Sequence, residues 1–147
     1  MAEELRFSLG RSPEELGPLT VRAEALVDTL GLGEDVRFAV ALALEEVVVN
    51  VQRYAWDDEA EHHFEVCLRG ERGRSIEIEV RDDGRPFDPL SLAPPDLDAP
   101  IEEREVGGLG VHLVRKLMDD VRYRREDGQN VLYLCKKLGG TPGQRGS

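Results

Sequence analysis

The strand-like runs of this chain come in adjacent pairs, and that pairing restricts the fold more than any other feature. Phe64-Glu65-Val66-Cys67-Leu68 and Ile76-Glu77-Ile78-Glu79-Val80 alternate apolar with other residues on either side of a turn over residues 70–73. Val121-Arg122-Tyr123-Arg124 and Val131-Leu132-Tyr133-Leu134 flank Asp127-Gly128, a dipeptide suited to a two-residue hairpin turn. Leu5-Arg6-Phe7-Ser8-Leu9 adds a first strand by the same alternation.

Helical patterns separate these pairs. Ser12 is placed to cap a first helix, with Pro13 in its first turn and Glu15 closing a capping box; Gly31 or Gly33 ends it after Leu30. Glu34-Asp35 opens a long second helix that reaches Tyr54, and a third follows the glycines at 107–110 and reaches Met118. The order β-α-α-β-β-loop-α-β-β predicts an α/β (α+β) two-layer sandwich, with a mixed, mostly antiparallel sheet carrying three helices on one face. A doubly wound parallel sheet needs regular β-α alternation, which is missing. Residues 89–105 are rich in Pro, Asp and Glu with little periodicity, and long loops inside compact domains are often functional lids. Residues 139–147 read as a disordered tail, leaving a single domain over residues 1–138.

The chain has 147 residues with 40% hydrophobic content, which suits one domain with a core of its own. Thirty acidic residues against 19 basic give a net charge of -11, which disfavours nucleic acid and anionic membrane as partners. Cys67 and Cys135 read as buried thiols in a reducing compartment and lack zinc-ligand spacing. No run approaches the ~20 apolar residues of a membrane span, and the acidic amino terminus lacks the apolar segment of an export signal, so a cytoplasmic location is expected.

Three segments carry the chemistry. Glu46 and Asn50 lie one turn apart at the edge of the second helix's apolar stripe, while Glu45 points away. A carboxylate there can polarise a hydroxyl, and an amide oxygen is a hard ligand suited to Mg²⁺. Asp82 ends a strand within Asp82-Asp83-Gly84-Arg85-Pro86-Phe87-Asp88, where it reads either as a turn acid or as an acceptor for a base amine. Gly107-Gly108-Leu109-Gly110 opens a helix, so its N–H groups can approach phosphate; Arg104, just upstream, can reach a terminal phosphate. His62-His63 chelates poorly, because neighbours on a strand face opposite ways. No Walker-type phosphate loop and no nucleophile elbow is present.

In order and spacing these segments resemble the N, G1 and G2 boxes of the GHKL ATPase/kinase superfamily, the Bergerat fold. The narrower likeness is to its anti-sigma-factor serine/threonine kinase branch. It rests on Ala43-Leu44-Glu45-Glu46 with Asn50 and Tyr54-Ala55, on the 82–88 segment, on 107–110 leading into Leu117-Met118-Asp119, and on the ending from Tyr123 through Asn130 to Leu132. The resemblance covers residues 5–138. It implies that Glu46 is the general base, Asn50 the Mg²⁺ ligand, Asp82 the adenine acceptor and Gly84 the glycine that admits the base. It implies that Gly107, Gly108, Leu109, Gly110 and Arg104 meet the phosphates. The activity implied is ATP-dependent phosphorylation of a STAS-type anti-anti-sigma partner by a protein that also sequesters a sigma factor, often as a homodimer. Pro86 replaces the second glycine of the family's D-x-G-x-G pattern, and Tyr54 stands where the branch often has His. A non-catalytic module that holds a regulator, with ATP structural or absent, is the alternative; an ATPase releasing free phosphate is a third reading.

Overall fold

The computed structural model of the chain describes residues 2–86, Asp88 and residues 108–139, with side chains in the last helix from Leu113 onward. The loop expected over residues 89–105 and nearly all of the expected tail lie outside the described residues. Five strands form one sheet: β1 Ala2–Leu9, β2 Phe64–Glu71, β3 Ser75–Asp82, β4 Asp120–Glu126 and β5 Gln129–Lys137. Their order across the sheet is β1-β2-β3-β5-β4, and every neighbouring pair is antiparallel. Three helices complete the fold: α1 Leu16–Thr29, α2 Gly33–Tyr54 and α3 Gly108–Leu117.

The expected alternation sets the layers. Phe64, Val66 and Leu68 of β2 and Ile76, Ile78 and Val80 of β3 are buried on one face. They join Leu132 and Leu134 of β5 and a helical contribution that includes Leu19, Val27, Val40, Leu44, Val48 and Val114 in one core. The opposite face is polar and laddered with ion pairs, including Arg81–Glu79 at 2.6 Å and Arg69–Glu4 at 3.3 Å. Cys67 lies on that face, half-buried, so only Cys135 matches the expectation of a buried thiol; both are free. Among the described residues no helix is long and apolar enough to cross a membrane.

The turns follow local chemistry. Asp127 (φ 51°) and Gly128 (φ 78°) both take left-handed conformations, as a two-residue hairpin between right-twisting strands requires. At the end of α1, Gly31 has φ 67° and the Leu32 N–H returns to the Val27 carbonyl at 3.2 Å, closing the helix in a Schellman pattern. The start of α1 differs from expectation. Ser12 makes no side-chain cap; a 3-10 turn over Pro13–Glu15 precedes the helix. Glu15 closes no box with Ser12, because its carboxylate accepts the Gly10 N–H at 2.9 Å and ties down the end of β1.

Gln52 secures the same corner from α2. It is buried, and its Nε2 donates to the carbonyls of Gly10 (3.1 Å) and Ser12 (2.9 Å). Replacing Gln52 by Leu strands two carbonyls without these donors, so the variant should lose about 1–3 kcal/mol of stability. Urea unfolding followed by circular dichroism measures it; an unchanged midpoint would remove Gln52 as a corner fastener.

Candidate functional site

One end of the helix–sheet interface opens into a concave, mainly apolar pocket. Val47, Asn50, Val51 and Tyr54 line it from α2, Ala55 from the residue after that helix, and Val114 and Arg115 from α3. The sheet supplies Val80 and Asp82 from β3, Val121 and Tyr123 from β4, and Asn130, Leu132 and Leu134 from β5; Arg85 adds a cation. The polar groups gather around Asp82, where the inward rows of β3 and β5 leave the core.

Asp82 is 6% exposed. Its Oδ1 accepts the Gly84 N–H at 2.9 Å and the Asn130 Nδ2 at 3.0 Å. Neither bond uses Oδ2, and the residue lines the pocket. Burial pushes the carboxyl above its ordinary value of 3.8, while the bonds from Asn130 and Gly84 and the charge of Arg125 pull the other way. An ionised oxygen with spare lone pairs at the end of an apolar cleft suits a flat ring carrying an exocyclic amine.

Asn130 organises this end. Besides Asp82, its Nδ2 donates to the Arg85 carbonyl at 2.8 Å, and its Oδ1 accepts the Tyr123 hydroxyl. Arg125 donates to the Gly84 carbonyl at 2.8 Å. None of Asn130, Tyr123 and Arg125 was among the residues expected to form the site. The signal that finds Asn130 is its register: it alternates with Leu132 and Leu134 on the inward row of β5, where an unexplained amide asks for a partner.

Gly84 has a structural reason to be glycine. A Cβ there would lie 2.3 Å from the Ala55 carbonyl oxygen and 2.6 Å from its Cβ. The chain leaving β3 presses on the end of α2, and the Arg85 N–H donates to that same carbonyl at 2.8 Å. Arg85 Nε also holds the Tyr54 carbonyl at 3.0 Å. Asp83 accepts from Trp56 Nε1 at 3.0 Å, and Trp56 stacks on His62 with centroids 4.5 Å apart. The segment after α2 is thereby fastened to the 82–85 turn. His62 also pairs with Asp58 at 2.7 Å.

The two α2 residues part company. Asn50 lines the pocket, whereas Glu46 stands one turn away, half-buried and outside the lining. Burial, then the neighbouring Glu45 charge, raises the Glu46 carboxyl above 4.5, with Arg53 opposing. Glu45 is exposed. Gly108, Leu109 and Gly110 form the first turn of α3, which leaves backbone N–H groups unpaired within the helix at its positive end. Arg104 and Gly107 lie outside the described residues. Among those residues no cluster of three or more His, Cys, Asp or Glu side chains is placed to hold a metal ion. A divalent ion here would therefore rest on Asn50 and on ligand oxygens, a donor set that suits Mg²⁺.

Two substitutions separate these forces. Asp82→Asn keeps an oxygen for Gly84 and Asn130 and removes a desolvated charge. A carboxyl raised in the folded state weakens folding once pH exceeds its folded value, and the penalty vanishes below the unfolded value near 3.8. Asp82→Asn should therefore be at least as stable as the parent at pH 7, with the advantage fading as pH falls through the raised Asp82 value and gone below about 3.8. Gly84→Ala should lose about 1–3 kcal/mol by overpacking against Ala55. Thermal melts across pH read both; a strongly destabilised Asp82→Asn at pH 7 would contradict the assignment of burial as the dominant effect.

Comparison with known proteins agrees with this geometry. Residues 10–136 match the family described as histidine kinase-like ATPase domain. The serine/threonine-protein kinase BtrW of Bordetella bronchiseptica is 30% identical over 98 residues, 67% of this chain and 68% of that protein. The serine-protein kinase RsbW of Halalkalibacterium halodurans is 29% identical over 140 residues, covering 92% of this chain and 84% of that protein. Among solved structures, the histidine kinase domain of the blue-light activated histidine kinase from Erythrobacter litoralis superposes with a TM-score of 0.55 at 18% identity. That match covers 87% of this chain and 63% of the other, and is a likeness of fold. With its antiparallel sheet, three helices and pocket below Asp82, this chain belongs to the histidine kinase-like ATPase domain family.

Proposed function

We propose that the chain is an ATP-dependent serine/threonine protein kinase of a partner-switching circuit in the cytoplasm. In this reading it phosphorylates a STAS-type anti-anti-sigma protein and sequesters a sigma factor when that antagonist is phosphorylated. The observation that carries it is Asp82: a buried carboxylate, fixed through one oxygen and lining a pocket whose other walls include Asn50 and α3. Family membership and the kinase names of the relatives support the reaction class.

The residues divide the work by position. Asp82 Oδ2 accepts the adenine amine while Val80, Leu132 and Val51 cover the ring. The first turn of α3, from Gly108 through Leu109 to Gly110, turns N–H groups toward the phosphates, joined by Gly107 and Arg104. Asn50 would hold Mg²⁺, which would supply charge to offset that of the phosphate oxygens. The partner's hydroxyl oxygen bonds to the γ-phosphorus as the bond to the β,γ-bridging oxygen breaks. ADP leaves with that electron pair, and Glu46 takes the hydroxyl proton. The raised Glu46 carboxyl favours this role, since a stronger base takes a proton more readily. Glu46 lies outside the pocket lining, however, and this favours a second reading in which the domain binds its regulator without transferring phosphate.

Intact mass after mixing the protein with Mg-ATP and the STAS-domain proteins of the same genome decides between the two. Phosphate on a serine or threonine of one partner supports the kinase; none on any partner, with a sigma factor still bound, supports the module. Asp82→Asn should weaken ATP binding by about 5- to 150-fold in calorimetry, the effect of ~1–3 kcal/mol from an unpaired buried group. Glu46→Gln should slow single-turnover transfer by about 10²–10⁴-fold while ATP affinity stays nearly constant, and Glu45→Gln should leave transfer largely intact. Transfer by the parent should fall as pH drops through the raised Glu46 value. Undiminished transfer by Glu46→Gln would exclude it as the base.

A further inference from the structure

One buried cation lies far from the Asp82 end of the inward row. Lys136 occupies the inward register of β5, opposite Ile76, and is only 4% exposed. Its Nζ donates to the Leu117 carbonyl at 2.7 Å. Leu117 is the last residue of α3, so this carbonyl is one that the helix itself cannot pair. The ammonium also sits at the negative end of the helix dipole. Burial pushes the lysine below its ordinary value, with Asp35 opposing. An apolar side chain would fill an inward position without that desolvation.

The neighbouring backbone completes a clamp. The Asp119 N–H donates to the Cys135 carbonyl at 2.8 Å, and Asp119 Oδ2 accepts the Lys137 N–H. Residues 135–137 of β5 therefore hold the carboxyl end of α3 at three points. The amino end at Gly108 lies nine residues from Leu117, about 13–14 Å at 1.5 Å per residue. A small axial slip or tilt at the clamp is carried along the rod to Gly108 and Gly110.

We infer that Lys136 is a positioning residue for phosphate binding: it fixes the height and charge balance of α3 from the carboxyl end, so that the amino end meets the phosphates in register. In this reading it acts through α3 rather than by contacting the nucleotide. The inference rests on the proposed nucleotide site, and it adds a division of labour. Asp82 and Asn130 govern the base, and Lys136 governs the phosphates from the opposite end of the same sheet row.

The test compares ligands that differ only in phosphate. Adenosine, ADP and Mg-ATP are titrated into the parent, Lys136→Met and Lys136→Arg, by calorimetry and by the fluorescence of Trp56, the chain's single tryptophan. Lys136→Met should lose about tenfold in Mg-ATP affinity, the scale of a partly buried charge at a helix end. Its adenosine affinity should stay within about twofold, far less than the tenfold step, and Lys136→Arg should recover part of the loss. If Lys136→Met fails to fold, Lys136→Gln, which keeps a donor without the charge, carries the same comparison. Equal loss for adenosine and Mg-ATP would reduce Lys136 to a general stabiliser, and undiminished Mg-ATP affinity would remove it altogether. If the parent binds none of the three ligands, the nucleotide site itself fails, which is a separate result.

Discussion

A sheet covered on one face gives each strand a single inward row, and the rest of this molecule depends on that constraint. In β3 the row reads Ile76, Ile78, Val80 and Asp82; opposite it in β5 stand Lys136, Leu134, Leu132 and Asn130. The middle of both rows is hydrocarbon packed under the helices; Asp82 and Asn130 make one end polar, and Lys136, opposite Ile76, ends the β5 row at the other. Because side chains alternate with a period of two, a one-residue slip would turn these polar residues outward and expose the apolar middle. The register that buries the core is thus the register that pairs Asp82 with Asn130 at one end and seats Lys136 under α3 at the other. Packing and chemistry are fixed by the same choice.

The strands, helices and most turns were legible because each is written in local chemistry. Alternation marked β2 to β5, Asp127-Gly128 marked a turn that needs two positive φ angles, and Gly31 marked the stop of α1. What stayed hidden involved partners distant in sequence. Glu15 chose the Gly10 N–H over a capping box with Ser12, and Gln52 bonds to carbonyls about forty residues upstream. Gly84 suggested room for a ligand, yet its missing Cβ faces Ala55 across the join between α2 and β3. Asp82 and Asn50 line one pocket, but one-turn spacing on α2 did not settle whether Glu46 would face it with Asn50. Asn130 stands out in the alternation of β5, but an isolated amide in a strand carries no motif that assigns it a partner.

The Asp82 end also shows a conflict between stability and use. At 6% exposure the charged form of the carboxyl is denied water, and two hydrogen bonds to one oxygen offset only part of that cost, so burial raises its pKa. An amide would satisfy the same two donors more cheaply. What an amide does not provide is a second oxygen able to accept from an amine. Keeping a charge where a neutral isostere suffices for folding is reason to look for a ligand there.

A net charge of -11 repels a polyanionic ligand at long range, but screening limits that range. At physiological ionic strength the screening length is about 8 Å, so distant surface carboxylates act weakly on a phosphate inside the pocket. The pocket itself carries cations beside the acid Asp82: Arg85 and Arg115 on the lining, with Arg125 bonded to the Gly84 carbonyl. Several of the chain's acids are themselves occupied, as Glu79 is by Arg81 and Glu4 by Arg69 on the open sheet face. Local dipoles and guanidinium groups would thus dominate the field on a phosphate in the proposed site, whereas the acidic exterior disfavours longer polyanions, whose charge extends beyond the pocket.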